Sequence, residues 1–341
     1  MQTYMKSEVK RHKISVIIPC YNVEDYLEKC LKSLVNQNFL DYDIIAINDG
    51  STDNTEQILN EYSTKYPGLV YSYTKQNGGL SSARNFGNKI TMSDYITYVD
   101  SDDYVAADFL ERLYEATDNG EKDIVLSGRE KVNADGIVIQ RLVYNPPTIL
   151  RRLTTHGVLY KRTYMQENHM EFPDGKIYED NPFNLVMLFM TKKLEILSYS
   201  GYYQLVRNNS ITAKKIREED LPLDALRNAI DYLDKNKNNI ADFYIYEHTV
   251  ISFMTYFIFQ ANKSHLSVKK DRKSDISVIK IICEDFEKIL VRYFPNCKSN
   301  PYIRLINGNR LSFSQRIGVW TFVRLHNWKL LTKFAELYYL F

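Results

Sequence analysis

Short apolar runs alternate with amphipathic stretches between residues 14 and 127. The apolar runs lack helical spacing and end at turn residues, which predicts buried strands. These strands are expected over 14–19, 43–48, 69–73, 95–99 and 123–127. Between them, apolar positions at helical spacing predict helices over 24–38, 54–66, 80–90 and 106–116. Such alternation favours an α/β fold with a mostly parallel sheet and helices on both faces.

The pattern changes in the second part of the chain. Residues 130–143 predict a hairpin, and 157–212 combine short strands with a helix near 178–190. From about residue 213 only helices are predicted, most clearly over 224–234, 244–262 and 276–293, with a further helical pattern over 314–340. We therefore expect an α/β domain over 13–212 and an all-helical C-terminal region over 213–341.

Composition excludes several classes of protein. The net charge of the whole chain is only +2, which argues against a nucleic-acid-binding protein. None of the four cysteines is spaced as Cys-x-x-Cys, which argues against a zinc site. No run of about 18 apolar residues predicts a transmembrane helix, and residues 1–13 lack the apolar core of a signal peptide. A cytoplasmic protein is expected.

Three carboxylates follow the apolar run at 95–99, namely Asp100, Asp102 and Asp103. Like charges this close raise one another's pKa unless a cation lies between them. Oxygen ligands suit Mg²⁺ or Mn²⁺, so the cluster indicates a divalent metal site. The alternative is a solvated acidic turn that caps the next helix, and this is the interpretation we favour for Asp103.

Polar loops follow three of the predicted strands, at 19–22, 49–53 and 100–103. Because ligands of parallel sheets bind beyond the carboxyl ends of the strands, these loops are expected to converge on one crevice. No glycine-rich Gly-x-Gly-x-x-Gly loop follows the first strand, which argues against a dehydrogenase.

Four sequence blocks resemble family 2 glycosyltransferases: 15–22 (SVIIPCYN), 48–55 (NDGSTDNT), 77–87 (NGGLSSARNFG) and 98–103 (YVDSDD). The resemblance covers about residues 13–212. It implies a GT-A fold, a UDP-sugar donor, a divalent metal (Mn or Mg) and inversion at the anomeric carbon. The residues that it assigns to nucleotide-sugar binding are Pro19, Tyr21, Asn22, Asp49, Gly79, Arg84, Asp100, Ser101, Arg207 and Ser210.

Individual roles follow from the same resemblance. Asp100 is expected near the ribose and Asp102 at the metal, with Asp100 as a second ligand. Asp49 would accept a hydrogen bond from uracil. Other interpretations remain open: Arg84 as a surface helix charge, Gly78–Gly79 as a plain turn, and Arg207 and Ser210 as part of a strand and turn. Residues 202–211 (YYQLVRNNSI) resemble a further loop of the family near the diphosphate, whose usual arginine or histidine is displaced here to Arg207.

Residues 176–183 resemble the Glu-Asp element that carries the general base of the family. Inversion by single displacement requires one carboxylate to take the proton of the acceptor hydroxyl. We assign this role to Asp180, with Glu179 as the less favoured candidate. The alternative is a helix N-terminus with favourable acidic residues.

We thus expect an inverting transferase that moves a hexose or N-acetylhexosamine from a UDP-sugar to a carbohydrate, lipid-linked acceptor in surface polysaccharide synthesis. One alternative is a sugar-nucleotide nucleotidyltransferase, which would need a glycine-rich loop in place of 19–22. Another is a non-catalytic carbohydrate-binding protein on the same fold. A homo-oligomer is a further expectation.

Charge is unevenly distributed along the chain. Residues 288–341 contain nine basic residues and one acidic residue, a net charge of +8, so the remaining residues carry −6. Both tryptophans, Trp320 and Trp328, lie in this tail. A basic, aromatic helix predicts peripheral docking on an anionic membrane, here the inner face of the cell membrane. The alternative is that Trp320, Phe322, Leu325 and Leu331 pack on protein.

Overall fold

The computed structural model describes residues 11–143, 153–207, 221–266, 272–305 and 313–337. The chain divides into two compact units, Met1–Asn145 with Thr154–Arg207, and Pro146–Leu153 with Asn208–Phe341. The first is an α/β unit, and the second is helical throughout its described residues. The domain boundary expected at residue 212 falls outside the described residues and stays a prediction.

Eleven strands lie in the described part of the first unit. They are β1 (Ile14–Cys20), β2 (Tyr42–Asn48), β3 (Val70–Thr74), β4 (Tyr95–Tyr98), β5 (Tyr104–Val105), β6 (Ile124–Leu126), β7 (Arg129–Val132), β8 (Val138–Leu142), β9 (Val158–Lys161), β10 (Leu194–Ile196) and β11 (Tyr202–Leu205). Seven of them form the main sheet in the order β10-β6-β9-β4-β1-β2-β3. All neighbours in this sheet are parallel except β9, which runs antiparallel between β4 and β6. The mostly parallel sheet is confirmed.

A second sheet has the order β5-β11-β7-β8. Its β7 and β8 form the predicted hairpin, with Gly136 in the left-handed region at φ +78°. Strand β11 lies between β5 and β7. It is thereby next to β5, the strand that directly follows the carboxylates at 100–103.

Helices of the first unit cover both faces of the main sheet. The α-helices among the described residues are α1 (Glu24–Val35), α2 (Thr55–Lys65), α3 (Gly79–Ile90), α4 (Phe109–Glu115), α5 (Arg162–Glu167), α6 (Asp180–Met190), α7 (Leu223–Lys235), α8 (Phe243–Leu266), α9 (Arg272–Tyr293), α10 (Phe313–Asn327) and α11 (Leu331–Leu337). Val16 and Ile18 of β1 pack in one cluster with Leu27 of α1. Ile17, which points to the opposite face, meets Gly87 of α3.

Most predicted elements differ from the structure by one to three residues at their ends. Helix α4 begins at Phe109 instead of residue 106. The single tail helix predicted over 314–340 is wrong, because α10 ends at Asn327 and α11 begins at Leu331. Residues 338–340 lie outside the described residues.

The break between α10 and α11 has the geometry of a Schellman cap. Lys329 is left-handed at φ +57° and donates to the carbonyl of His326 at 2.9 Å, while Leu330 donates to the carbonyl of Leu325 at 2.8 Å. The left-handed position usually holds glycine, and a lysine there leaves no sequence signal for the end of the helix.

Within the second unit, α9 contacts α7, α8 and α11, and α10 contacts α8. Phe322 and Leu331 are buried, as the packing alternative for the tail requires, whereas Trp328 is 60% exposed. Among the described helices, none has the length and apolar character needed to cross a membrane.

Candidate active site

The loops that follow β1 and β2 are joined through Asn22. Its side-chain Oδ1 accepts from the backbone N–H of Thr52 at 2.8 Å, and its own N–H donates to Ser51 Oγ at 3.1 Å. Asn22 has φ +49°, a conformation that asparagine tolerates better than most residues. Pro19 is buried in β1, whereas Tyr21 is 50% exposed and offers its ring to solvent.

Asp49 anchors the turn that begins α3. Its carboxylate accepts from Lys75 Nζ at 2.6 Å, from the N–H of Gly78 at 3.0 Å and from the N–H of Gly79 at 2.7 Å. The side chain is only 3% exposed. The carboxylate that the resemblance assigns to uracil is therefore engaged by the protein itself. Lys75, its charged partner, was not among the predicted site residues.

Arg84 connects the end of β4 with the start of α6. It donates to Asp100 Oδ1 at 2.8 Å and to Glu179 Oε1 at 2.6 Å, and it is 2% exposed. The interpretation of Arg84 as a surface helix charge is therefore wrong. Burial by itself would lower the pKa of Arg84, but the charges of Asp100 and Glu179 outweigh burial and raise it.

Asp100 is held by a second donor, His156. His156 Nε2 lies 3.1 Å from Asp100 Oδ2, and His156 Nδ1 lies 2.8 Å from Arg129 NH1. An arginine can only donate, so Nδ1 is the acceptor and Nε2 carries the proton that goes to Asp100. Burial opposes the ionisation of Asp100, but Arg84 and His156 together hold its pKa well below the ordinary value.

Asp103 does not cap the following helix, contrary to our interpretation of the sequence. Helix α4 begins at Phe109, well beyond it, and Asp103 is 3% exposed. Its carboxylate accepts from the hydroxyl of Tyr202 at 2.8 Å and from the N–H of Leu205 at 2.8 Å. Burial, with the charges of Asp102 and Asp100, raises its pKa well above the ordinary value. Asp103 thus joins β11 to the end of β4.

Asp102 forms an ion pair with Arg207, whose guanidinium lies 4.7 Å from the ring centroid of Tyr26. The Asp102 side chain is 19% exposed. Burial and the charge of Asp100 raise the pKa of Asp102. Ser101 is 5% exposed. Ser210 lies outside the described residues, so the structure brings Arg207 to the carboxylate cluster and leaves the role of Ser210 a prediction.

One group of side chains and one further carboxylate, that of Asp102, are candidates for metal binding. Ligand atoms of Asp100, Asp103 and His156 lie within 4.8 Å of one another. As arranged, this group does not suit a cation, because His156 Nε2 carries a proton. Asp102 is the better ligand, because its side chain is more exposed than that of Asp103. The described ion-pair partner of Asp102 is Arg207, the last residue of the first unit.

Two carboxyl groups stand at the start of α6. Tyr178 has φ +58°, an uncommon conformation for an aromatic residue, and the turn there leads into Glu179 and then Asp180, the first residue of the helix. Pro182 fits the first turn, where its missing N–H costs no helical hydrogen bond. Glu179 is buried against Arg84, whereas Asp180 is half-buried. Burial and the charge of Glu179 raise the pKa of Asp180 to about 8.

Four polar residues of the site had no assigned role from sequence: Lys75, Arg129, His156 and Tyr202. Arg129 is the first residue of β7, and His156 lies two residues before β9. Polar residues at the ends of strands are a weak sequence signal of a functional site. Tyr202 is the first residue of β11, within the 202–211 segment that resembles the family, yet only its contacts with Asp103 and with the N–H of Asp100 identify its role.

Comparison with known proteins supports a family assignment. Residues 15–184 match the family model described as glycosyl transferase family 2. The chain is 30% identical to the uncharacterised glycosyltransferase YibD of Escherichia coli over 257 residues, which covers 68% of this chain and 73% of that protein. It is 35% identical to the poly(ribitol-phosphate) beta-glucosyltransferase of Bacillus spizizenii over 207 residues, 58% of this chain.

The chain spans only 33% of the length of the Bacillus spizizenii relative. Among solved structures, Staphylococcus aureus TarS 1-349 in complex with UDP-GlcNAc superposes with a TM-score of 0.66 at 21% identity, over 93% of this chain and 92% of that chain. This likeness shows the GT-A fold. Together with the match over residues 15–184 and the similarity to YibD, it identifies the protein as a member of glycosyl transferase family 2.

Proposed function

We propose that the protein is an inverting glycosyltransferase that moves a hexose or N-acetylhexosamine from a UDP-sugar to a hydroxyl of a surface-polymer acceptor. The observation that carries this proposal is the pair Glu179–Asp180 at the start of α6, joined through Arg84 to Asp100. One carboxyl of the pair is tied to Arg84, and the other is half-buried with a raised pKa. A carboxyl group with a raised pKa, next to a second carboxyl held in an ion pair, suits a general base beside a bound donor.

Asp180 is the general base in this proposal. It takes the proton of the acceptor hydroxyl as that oxygen attacks the anomeric carbon, and the nucleoside diphosphate leaves on the opposite side. Glu179 is less suited to the role because its carboxylate is buried in the ion pair with Arg84. Arg84 instead ties Glu179, the neighbour of Asp180, to Asp100. This would hold the base in a fixed position relative to the donor site, as an in-line attack requires.

Metal dependence is part of the proposal. Asp102, with Asp100 as the second carboxylate, would hold the ion, and Arg207 would have to release Asp102 first. A bound Mn²⁺ or Mg²⁺ would neutralise the charge that develops on the departing diphosphate. Once released, Arg207 would add its own positive charge near the same group.

Relatives support the choice of donor and acceptor. The Bacillus spizizenii relative is named for glucosyl transfer to poly(ribitol-phosphate), and TarS of Staphylococcus aureus for N-acetylglucosaminyl transfer to the same polymer. A structure of TarS contains UDP-GlcNAc. We therefore favour a polyol-phosphate polymer as the acceptor class, and we keep the lipid-linked oligosaccharide as the second candidate.

A donor screen tests the proposed function. The protein is incubated with UDP-glucose, UDP-GlcNAc, UDP-galactose or UDP-GalNAc, with Mn²⁺ or Mg²⁺, and with or without poly(ribitol phosphate). We expect UDP release with one donor class that depends on the acceptor and is lost in Asp180→Asn. Tight UDP binding without release under any condition would favour the non-catalytic carbohydrate-binding alternative instead.

We also propose peripheral association with the inner face of the cell membrane. Basic side chains of the tail stay exposed, among them Arg324, Lys329 and Lys333, next to the exposed Trp328. Each basic residue near an anionic surface contributes about 1 kcal/mol. The docking surface is smaller than the sequence predicts, because Phe322 and Leu331 are buried.

A further inference from the structure

A chain of hydrogen bonds leads from β7 to the carboxylate cluster. Arg129, 5% exposed, donates to Thr154 Oγ1 at 3.0 Å and to His156 Nδ1 at 2.8 Å. His156 Nε2 in turn lies 3.1 Å from Asp100 Oδ2. The imidazole side chain is 11% exposed, and its ring meets that of Tyr202 edge-on at 5.1 Å between centroids. Two hydrogen bonds and one aromatic contact thus hold the imidazole in position and orientation.

Arg129 determines which nitrogen of His156 carries the proton. A guanidinium has no acceptor, so a proton on Nδ1 would point at an N–H of Arg129. The neutral imidazole therefore holds its proton on Nε2, where it donates to Asp100. Each carboxylate oxygen of Asp100 thus accepts one hydrogen bond, Oδ1 from Arg84 and Oδ2 from His156.

The same geometry argues against His156 as a metal ligand, although it lies in the group with Asp100 and Asp103. A metal-bound histidine coordinates through one nitrogen and normally donates the N–H of the other to an acceptor. If Nε2 bound a metal, Nδ1 would carry the proton and face Arg129, a donor. The arrangement suits an imidazole that donates to a carboxylate.

We propose that His156 is a positioning residue, whose tautomer is set by Arg129 and which orients Asp100 toward the ribose of the bound donor. The inference rests on the proposed function for the identity of the donor. It assigns His156, and Arg129 through His156, to donor binding, because His156 bonds Asp100 and neither residue makes a hydrogen bond with Asp180 among the described ones.

Three variants separate this role from general packing. His156→Gln keeps an N–H that can reach Asp100, whereas His156→Phe keeps the aromatic ring beside Tyr202 and loses both hydrogen bonds. Arg129→Met keeps bulk and removes the donor to Nδ1. His169→Asn, at an exposed left-handed position where asparagine is tolerated, serves as the control for loss of a histidine.

The measurements are UDP affinity by calorimetry, the split between donor KM and kcat, and imidazole ¹⁵N NMR of the full chain. We expect His156→Phe to weaken UDP binding and raise donor KM about tenfold, the worth of one hydrogen bond to a charged group, with a smaller change in kcat. His156→Gln should recover most of this loss. The wild-type spectrum should show His156 protonated on Nε2, and Arg129→Met should show a mixture of tautomers.

Several results would overturn the assignment: an Nδ1–H imidazole in the wild type, unchanged UDP affinity in His156→Phe, or a tenfold loss of Mn²⁺ affinity in His156→Gln. The last would make His156 a ligand. Failure of the wild type to bind UDP would instead overturn the proposed function, and the tautomer spectrum would still test Arg129 and His156 independently.

Discussion

Asp180 combines a half-buried position with a pKa raised to about 8 by burial and by the charge of Glu179. A general base must be deprotonated, so kcat/KM should rise with pH and level off above about 8. Asp180→Asn should bind UDP normally and lose the chemical step by at least about a hundredfold, the usual contribution of a positioned base. Rate profiles from pH 5.5 to 9.5 with both proteins check this prediction.

Glu179→Gln is the matched variant for this experiment. It removes the negative charge next to Asp180 and keeps an oxygen for Arg84. The pKa of Asp180 should therefore fall, and the rise of kcat/KM should move to lower pH. If Asp180→Asn remains active while Glu179→Gln is inactive, the base is Glu179 and our assignment is wrong.

Asp102 and Arg207 yield a prediction about metal affinity. Because Arg207 pairs with Asp102, Arg207→Ala should tighten Mn²⁺ binding to the nucleotide-free protein, and Asp102→Ala should abolish it together with transfer. Electron paramagnetic resonance of Mn²⁺ measures the affinity directly, with the exposed Arg292→Ala as the control. Full activity in excess chelator, or unchanged Mn²⁺ binding in both variants, would contradict the metal site at Asp102.

At the level of elements, α3 can lie close to β1 only because residue 87 is glycine. A Cβ there would stand 2.6 Å from Cγ2 of Ile17. Alanine raises helix propensity over glycine by about 1 kcal/mol, but overpacking typically costs about 1–3 kcal/mol. Gly87→Ala should therefore destabilise the protein, and because Arg84 lies one turn earlier on α3, it should also weaken UDP binding.

A double-mutant cycle tests the stated cause. In an Ile17→Ala background the clashing atoms are gone, and Gly87→Ala should become neutral or stabilising in denaturant unfolding. Equal destabilisation by Gly87→Ala in both backgrounds would show that the contact with Ile17 is not the reason for the glycine.

For the whole molecule, the concentration of positive charge in residues 288–341 suggests a test of membrane association. Truncation is unsuitable, because α10 contacts α8 and α11 contacts α9. Charge reversal of the exposed Arg324, Lys329 and Lys333 to glutamate leaves the buried contacts of α10 and α11 in place and removes the attraction. Wild-type protein should float with anionic liposomes at low salt and the reversed variant should not. Absence of wild-type flotation would make the tail a packing element only.

The sequence alone determines the order of strands and helices, the mostly parallel sheet, and the polar loops at the carboxyl ends of its strands. These features are local: they depend on hydrophobic periodicity and turn chemistry within a few residues of each other. For the same reason the motif blocks at 15–22, 48–55, 77–87 and 98–103 suffice to identify the family.

Only the tertiary structure decides which polar groups meet. Arg84 pairs with Asp100 and with Glu179, which lies 95 positions after Arg84, and Asp103 binds the hydroxyl of Tyr202, 99 positions away. Periodicity carries no information about such pairs, because they depend on the antiparallel insertion of β9 and the place of β11 in the second sheet. The tautomer of His156 and the left-handed cap at Lys329 belong to the same class, since each follows from a neighbour or a backbone conformation that residue type alone does not specify.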